Sequence, residues 1–184
     1  MPDAPQRPLI FIHDARASEV DALLALRRRV FAEARWFVTE ADEHREDRAS
    51  LARLIAQSAR ANNGFMLSAS VHDHVVGMLL LQGESLRRIR HVARLEIMVD
   101  ADARGQGVGA ALMEACIWRA ERLPGLRKIS LAVFADNHRA IHLYEQFGFQ
   151  IEGRRVQEYQ IDGEWIDDLL MYRRIGGAGE AAPR

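Results

Sequence analysis

Leu95-Glu96-Ile97-Met98-Val99-Asp100-Ala101-Asp102-Ala103-Arg104-Gly105-Gln106-Gly107-Val108-Gly109 is the stretch from which the rest of the chain can be read. With Arg94 before it, the first part is an apolar run of strand length ending at Asp100. The second part places glycines at 105, 107 and 109. Behind it Val108, Ala111, Leu112, Ala115, Cys116 and Leu123 recur at helical spacing until Pro124-Gly125 stops them. A strand therefore runs through a glycine loop into a helix. Glycine lets the backbone take positive φ and lets a ligand approach closely. The first helical turn has N–H groups without partners, and the helix dipole adds partial positive charge there. Such a loop suits a phosphate or pyrophosphate, with Arg104 beside it for charge-assisted contacts.

Spacing separates this loop from others built on the same physics. No Lys-Ser/Thr pair follows the glycines, so it is not a Walker loop. They read G-x-G-x-G and not G-x-G-x-x-G, so the dinucleotide fingerprint is absent. Taken alone, the glycines are also compatible with a tight strand-to-helix turn that binds nothing.

Working outward, Lys128 to Phe134 reads as a strand, and Asp136-Asn137 opens a short helix carrying Ile141, Tyr144 and Phe147 until Gly148. Gln150 to Gln160 and Trp165 to Arg173 flank Asp162-Gly163, a hairpin signal. On the N-terminal side, Phe65 to Val71 and Val75 to Leu81 form a second hairpin around His72-Asp73-His74. Before it lies a helix with Leu51, Leu54, Ile55 and Ala59 on one face, stopped by Asn62-Asn63-Gly64. An earlier helix carries Val20, Leu23, Leu24, Arg27, Val30 and Phe31, with Ser18 and Asp21 resembling a capping box. Leu9 to His13 is a first strand. Hairpins dominate both ends, which predicts an α/β (α+β) mixed sheet with helices on its faces and not a doubly wound parallel sheet. One domain over 9–175 is expected, with flexible termini at 1–8 and 176–184.

The chain's 184 residues can bury a core without disulfides or structural metal. A net charge of −1 argues against general attraction to nucleic acid or anionic membrane. Basic charge is nearly all arginine; Lys128 is the only lysine. Cys116, the one cysteine, makes no internal disulfide, and two-thiol metal sites are excluded. The N-terminus lacks a signal-peptide layout and no apolar run nears the length of a membrane span, so a cytoplasmic protein is expected.

Arg104-x-x-Gly107-x-Gly109 matches the loop (Gln/Arg)-x-x-Gly-x-(Gly/Ala) of the GNAT acetyltransferases. Ile97-Met98-Val99-Asp100 resembles that family's fourth strand. Asn137, Ala140, Tyr144-Glu145 and Phe147-Gly148-Phe149 resemble its N-x-x-A-x-x-x-Y-E-x-x-G-F segment. The three blocks agree in order and spacing. The resemblance covers Val92 to Tyr172 closely, Phe65 to Leu81 less so, and the earlier chain in topology alone. Phe149 to Arg154, Asp162-Gly163-Glu164 and Asp168 look like the branch containing L-amino-acid and spermidine acetyltransferases.

The resemblance implies a mostly antiparallel central sheet flanked by helices, with strands four and five splayed apart. It implies acetyl-CoA as cosubstrate, its pantetheine arm pairing with the edge of strand four much as a peptide adds a strand. Ile97, Met98 and Val99 would offer that edge. Gly105, Gln106, Gly107, Val108, Gly109 and Ala110 would wrap the pyrophosphate, with Arg104 beside them. Asn137 would hydrogen-bond the cofactor arm and Tyr144 would sit near the thioester sulfur. It further implies a small-molecule amine as acceptor, an amino acid or polyamine, and a possible homodimer through the Gln150–Arg173 strands. A protein N-terminus or lysine, or a non-catalytic CoA-binding regulatory module, are the alternatives.

The chemistry is attack of a neutral amine on a thioester, which needs no acyl-enzyme. Cys116, mid-helix on the apolar face, reads as core and not as nucleophile. Tyr144 reads as a hydrogen-bond donor to the departing thiolate, or else as ordinary packing on an amphipathic helix. Most amines are protonated at neutral pH, so a base helps. Glu96, a carboxylate in an apolar strand beside the cofactor edge, is the candidate, or else a solvent-facing residue paired with an arginine. His91 is a weaker alternative. Where related enzymes place a strand-five glutamate, this chain has Ala132. The acidic run Glu40, Asp42, Glu43, Glu46 and Asp47 would attract a cationic amine or simply form a solvated face. No metal site is expected.

Overall fold

The computed structural model describes residues 8–33, 36–39, 43 and 45–176. The expected loose ends at 1–7 and 177–184 lie outside them, as do Glu40 and Asp42 of the acidic run. Seven strands form one sheet: β1 (Ile10–Asp14), β2 (Phe65–Val71), β3 (His74–Gly83), β4 (Val92–Val99), β5 (Lys128–Phe134), β6 (Gln150–Ile161) and β7 (Glu164–Arg174). Their order is β1-β2-β3-β4-β5-β7-β6. Every neighbouring pair is antiparallel except β4 and β5, which are parallel. The helices are α1 (Val20–Ala32), α2 (Arg48–Arg60), α3 (Val108–Ala120) and α4 (His138–Gln146). This is the mixed sheet with helices on its faces that the pattern of hairpins predicts, in the mostly antiparallel form that the resemblance implies.

Alternation along the strands builds two cores. Leu79 and Leu81 of β3, Leu95 of β4 and Leu131 and Val133 of β5 pack with Leu112, Met113 and Cys116 of α3. Met78 and Leu80 of β3 and Met98 of β4 pack on the opposite face with Leu23, Leu26 and Val30 of α1 and Leu51 and Ile55 of α2. β3 is apolar at successive positions because both its faces are covered.

Local chemistry departs from the sequence reading in a few places. The chain enters α1 a turn earlier than Ser18–Asp21 suggests: the Arg16 N–H donates to Glu19 Oε2 at 2.9 Å, ahead of a short 3-10 turn at Ala17–Glu19. Asp47 caps α2, accepting from the Ser50 N–H at 2.7 Å. The β2–β3 turn takes positive φ at His72 (47°) and Asp73 (63°), the mirror-image turn that suits a tight hairpin. Helix α3 buries Met113, Ile117 and Ala120 beside Val108, Leu112 and Cys116, a wider stripe than expected, because β1 to β4 all lie beneath it.

Candidate active site

The ladder between β4 and β5 holds only Val92–Lys128, Ala93–Ile129 and Arg94–Ser130. Beyond these pairs the strands part, and a cleft of about 1240 Å³ opens between them. Which backbone groups face it follows from the β3 side. The Glu84 N–H donates to Val92 O at 3.0 Å and the Asp100 N–H to Val76 O at 2.9 Å. In an antiparallel pair such bonds fall on alternate residues, so Arg94, Glu96 and Met98 spend theirs on β3. Ala93, Leu95, Ile97 and Val99 turn their N–H and C=O groups the other way. The expected edge of Ile97, Met98 and Val99 is thus Leu95, Ile97 and Val99 in backbone terms; Met98 contributes its side chain to the core behind.

Below this edge the chain passes Asp100 and a short 3-10 turn, Ala101–Ala103, into the glycine loop. Gly105 (φ 81°) and Gly107 (φ 94°) are left-handed, and Gly107 is the N-cap of α3. A Cβ at either would be strained. Gly109 has a different reason: a Cβ there would come within 3.2 Å of Leu143 Cδ2 on α4. Gly105, Gly107, Gly109 and Ala110 line the cleft with their backbone. Gln106 and Val108 do not: Gln106 donates back to Asp102 O at 2.7 Å, and the Val108 side chain is core.

Arg104 lines the cleft but is already engaged. Its two terminal nitrogens meet Glu33 at 2.5 and 2.7 Å, and its Nε donates to Val99 O at 3.0 Å. It ties the loop to the end of α1, a purpose that the motif does not announce. A cation that sequence reasoning passed over stands nearer the loop. Arg139 lines the cleft, and its Nη2 is 3.9 Å from where a Cβ on Gly105 would be. Its neighbour Asn137 caps α4, its Oδ1 accepting from the Ala140 N–H at 3.1 Å. The Asn137 Nδ2 is left to donate.

Tyr144 is 7% exposed, packs on Phe149 at 5.9 Å between ring centroids, and lines the cleft. Burial pushes its phenol up to about 12. It therefore stays protonated at neutral pH and can donate a hydrogen bond. Handing its proton to a thiolate, whose conjugate acid lies near 8.5, would be uphill by roughly 5 kcal/mol. Cys116 is fully buried in the α3 core, its thiol also pushed up to about 12 by burial, as packing requires and nucleophilicity does not.

Glu96 lines the cleft, is exposed and makes no ion pair among the described residues; Arg94 beside it is taken by Glu84 at 2.7 Å. By strand alternation Glu96 lies on the face of Met98 and α1, whereas Tyr144 belongs to the core of α3. The two candidate groups thus stand on opposite sides of the sheet with the parted strands between them. His91 lies in the turn before β4, exposed and away from the cleft. In the acidic run, Glu46 pairs with Arg27 at 2.5 Å and Asp47 is the α2 cap, so both serve the scaffold. Among the described residues no cluster of potential metal ligands occurs, and no helix is long and apolar enough to cross a membrane.

The face of Glu96 also carries Trp36 and Phe37 after α1, Phe134 on β5, and Arg155 and Tyr159 on β6, which no motif marks, together with Ala132 on β5 and Asp168 on β7. Asp168 is 1% exposed; burial pushes its carboxyl above the usual range, with Arg155 pulling the other way.

The family model for the acetyltransferase (GNAT) family matches residues 27–149. The chain belongs to this family. The family uses acetyl-CoA as cosubstrate. Residues of the chain are 36% identical over 107 positions to the L-amino acid N-acetyltransferase AaaT of Escherichia coli K12, covering 58% of this chain and 66% of that protein. They are 33% identical over 84 positions to the spermidine N(1)-acetyltransferase of Vibrio cholerae, covering 46% and 49%. The matches thus span from just under half to just under two thirds of these relatives. A GNAT acetyltransferase from Streptococcus pneumoniae superposes with a TM-score of 0.87 at 27% identity, covering 91% of this chain and all of that one.

Proposed function

We propose that the protein moves an acetyl group from acetyl-CoA to the primary amine of a small molecule, an amino acid or a polyamine, by direct attack. The parting of β4 and β5 after three residue pairs carries this reading. It leaves a free backbone edge that leads straight into an anion loop. An extended amide-bearing arm fits that edge and a pyrophosphate fits the loop.

Acetyl-CoA supplies an activated thioester, and the chain's own groups supply the rest. Gly105, Gly107, Gly109 and Ala110 hold the pyrophosphate through backbone N–H groups, with Arg139 as the cation beside them. Asn137 donates to the arm. The N–H groups of Ile97 and Val99 point into the gap, where they stabilise negative charge developing on a carbonyl oxygen. Tyr144 donates to the departing sulfur from one side of the sheet. Glu96 takes the ammonium proton on the other, where solvent reaches the acceptor. Cytoplasmic residence and a homodimer belong to the same proposal, the latter supported by exposed Ile151, Val156 and Trp165 on the β6–β7 hairpin.

The test is thiol release from acetyl-CoA with a panel of amino acids, diamines and a lysine-containing peptide, with products identified by mass. Amine-dependent release with an N-acetylated small molecule is expected. Release only with the peptide would move the acceptor to protein. Binding of acetyl-CoA without transfer to anything would make the chain a CoA-binding module.

A further inference from the structure

The Asp168 carboxylate is almost wholly buried, yet it lines the cleft. Its Oδ2 accepts no hydrogen bond; Arg155 Nη2 stands 3.1 Å away but off the line that one needs. Arg155 is shared, since its Nη1 donates to Glu158 at 2.6 Å. Among the described residues two carboxylates thus share one guanidinium, with the Tyr159 hydroxyl and the Val133 backbone as neutral neighbours of Asp168. The unpartnered Oδ2 suits a cationic ligand better than an anionic one.

The surroundings fit a cation too. Phe134 meets Tyr159 edge-on at 4.8 Å and Trp36 at 6.4 Å, and the Tyr159 phenol lies beside the Asp168 carboxylate. Aromatic faces attract ammonium groups, more so where water is excluded. A distortion of β6 builds this corner. Between Arg155, opposite Asp168, and Tyr159, opposite Ile166, β6 spends two more residues than β7, with Gln157 left-handed (φ 54°) and its N–H held by Asp167 Oδ1 at 2.7 Å. Bulges of this kind re-aim side chains next to sites. Here Arg155, Glu158 and Tyr159 are gathered around Asp168.

Position decides which part of an acceptor this corner receives. Ile129, Leu131 and Val133 point to the α3 core, so Ser130, Ala132 and Phe134 face the acceptor side. On β7, Leu169 and Met171 point to that core as well, which puts Asp168 and Leu170 on the face of Glu96. Asp168 pairs with Phe134, so β5 stands between it and the gap. With strands about 4.8 Å apart, Asp168 lies roughly 10 Å to the side of the gap's middle. The reacting nitrogen must be at the gap, so Asp168 holds a different group of the same molecule. Allowing about 3 Å for the ammonium–carboxylate contact leaves about 7 Å between the two nitrogens. That is the span of a chain of about five carbons, and Ala132 leaves room for it to cross β5.

We propose that Asp168, with Trp36, Phe134 and Tyr159, binds the non-reacting ammonium of an α,ω-diamine whose other nitrogen is acetylated at the gap. This narrows the acceptor class of the proposed function and rests on that reading. The test compares 1,5-diaminopentane with n-pentylamine, which has the same chain without the second charge. A charge-assisted contact predicts about tenfold or greater preference in kcat/KM for the diamine. Asp168→Asn should bring that ratio close to one by raising KM for the diamine, with pentylamine and acetyl-CoA parameters changed less than about twofold. Equal losses on both amines would mark Asp168 as structural, and a wild-type ratio near one would remove the subsite; either overturns this inference alone. Transfer to neither amine, nor to any other in the panel, overturns the acetyltransferase reading with it.

Discussion

The two sides of the parted strands are built from different material. On the α3 side, the groups aimed at a ligand are mostly backbone: the N–H groups of the glycine loop and of the first turn of α3. On the α1 side they are side chains brought from far apart: Trp36, Glu96, Phe134, Arg155 and Asp168. Backbone groups are the same in every protein, so a site made of them depends on conformation, and conformation leaves a mark in glycines and caps. A site made of side chains can change residue by residue without altering the fold. On the proposed function, one face would hold what is constant in the reaction and the other what varies.

Substitutions on each face test that division. The largest effect is expected for Gly107→Asp. Position 107 is left-handed, and the carboxylate would stand where the proposed function puts the pyrophosphate. Wild type should show a rise in Tm with acetyl-CoA, because a ligand of the native state stabilises it by mass action. NADH and ATP should shift it much less. The variant should lose the acetyl-CoA rise and all transfer. A retained rise would break the assignment of the loop, and with it the constant half of the comparison.

Tyr144→Phe should cost less, about 10- to 100-fold in kcat with KM for acetyl-CoA nearly unchanged, since the lost hydroxyl acts on charge that develops in the transition state. Its phenol, held up near 12, stays protonated through the working range. The wild-type rate should therefore show no alkaline fall attributable to Tyr144 below about pH 10. A KM effect with intact kcat would make Tyr144 a cofactor-packing residue.

The smallest effect, and the one most dependent on conditions, is expected for Glu96→Gln. Removing a base matters most where the acceptor is protonated, so the deficit should be worst near pH 6 and shrink toward about 9.5. A deficit that is flat across that range would take Glu96 out of the mechanism and leave deprotonation to water.

The same division explains what was legible before any coordinates. The strand–loop–helix unit, both hairpins and the splay of β4 and β5 follow from residue patterns and from the resemblance that they support. Asn137 and Tyr144 were legible from the N-x-x-A-x-x-x-Y spacing of the segment that resembles the family's, and both line the cleft. Arg104 was legible as a motif residue but not as the partner of Glu33, since its position says nothing of α1, 71 residues earlier. The alternation that assigns Met98 to β3 and Ile97 and Val99 to the gap depends on register, which the apolar run of β4 does not reveal. Asp168 was noted as part of a C-terminal pattern, but its burial depends on a two-residue excess in β6, and no turn residue announces that.

The short ladder at the base of β4 and β5 has one more consequence. Beyond it, the middle of the sheet is chemically an edge, and a strand edge with unmade hydrogen bonds ordinarily invites a foreign strand and aggregation. This edge is inside the molecule. The ladder closes it at one end, the glycine loop stands at the other, and helices cover both faces. A foreign strand would have to pass these barriers, whereas at an outer edge nothing stands in its way. The shape that leaves these groups unpaired also guards them, so the protein keeps a sticky edge without the hazard that sticky edges bring.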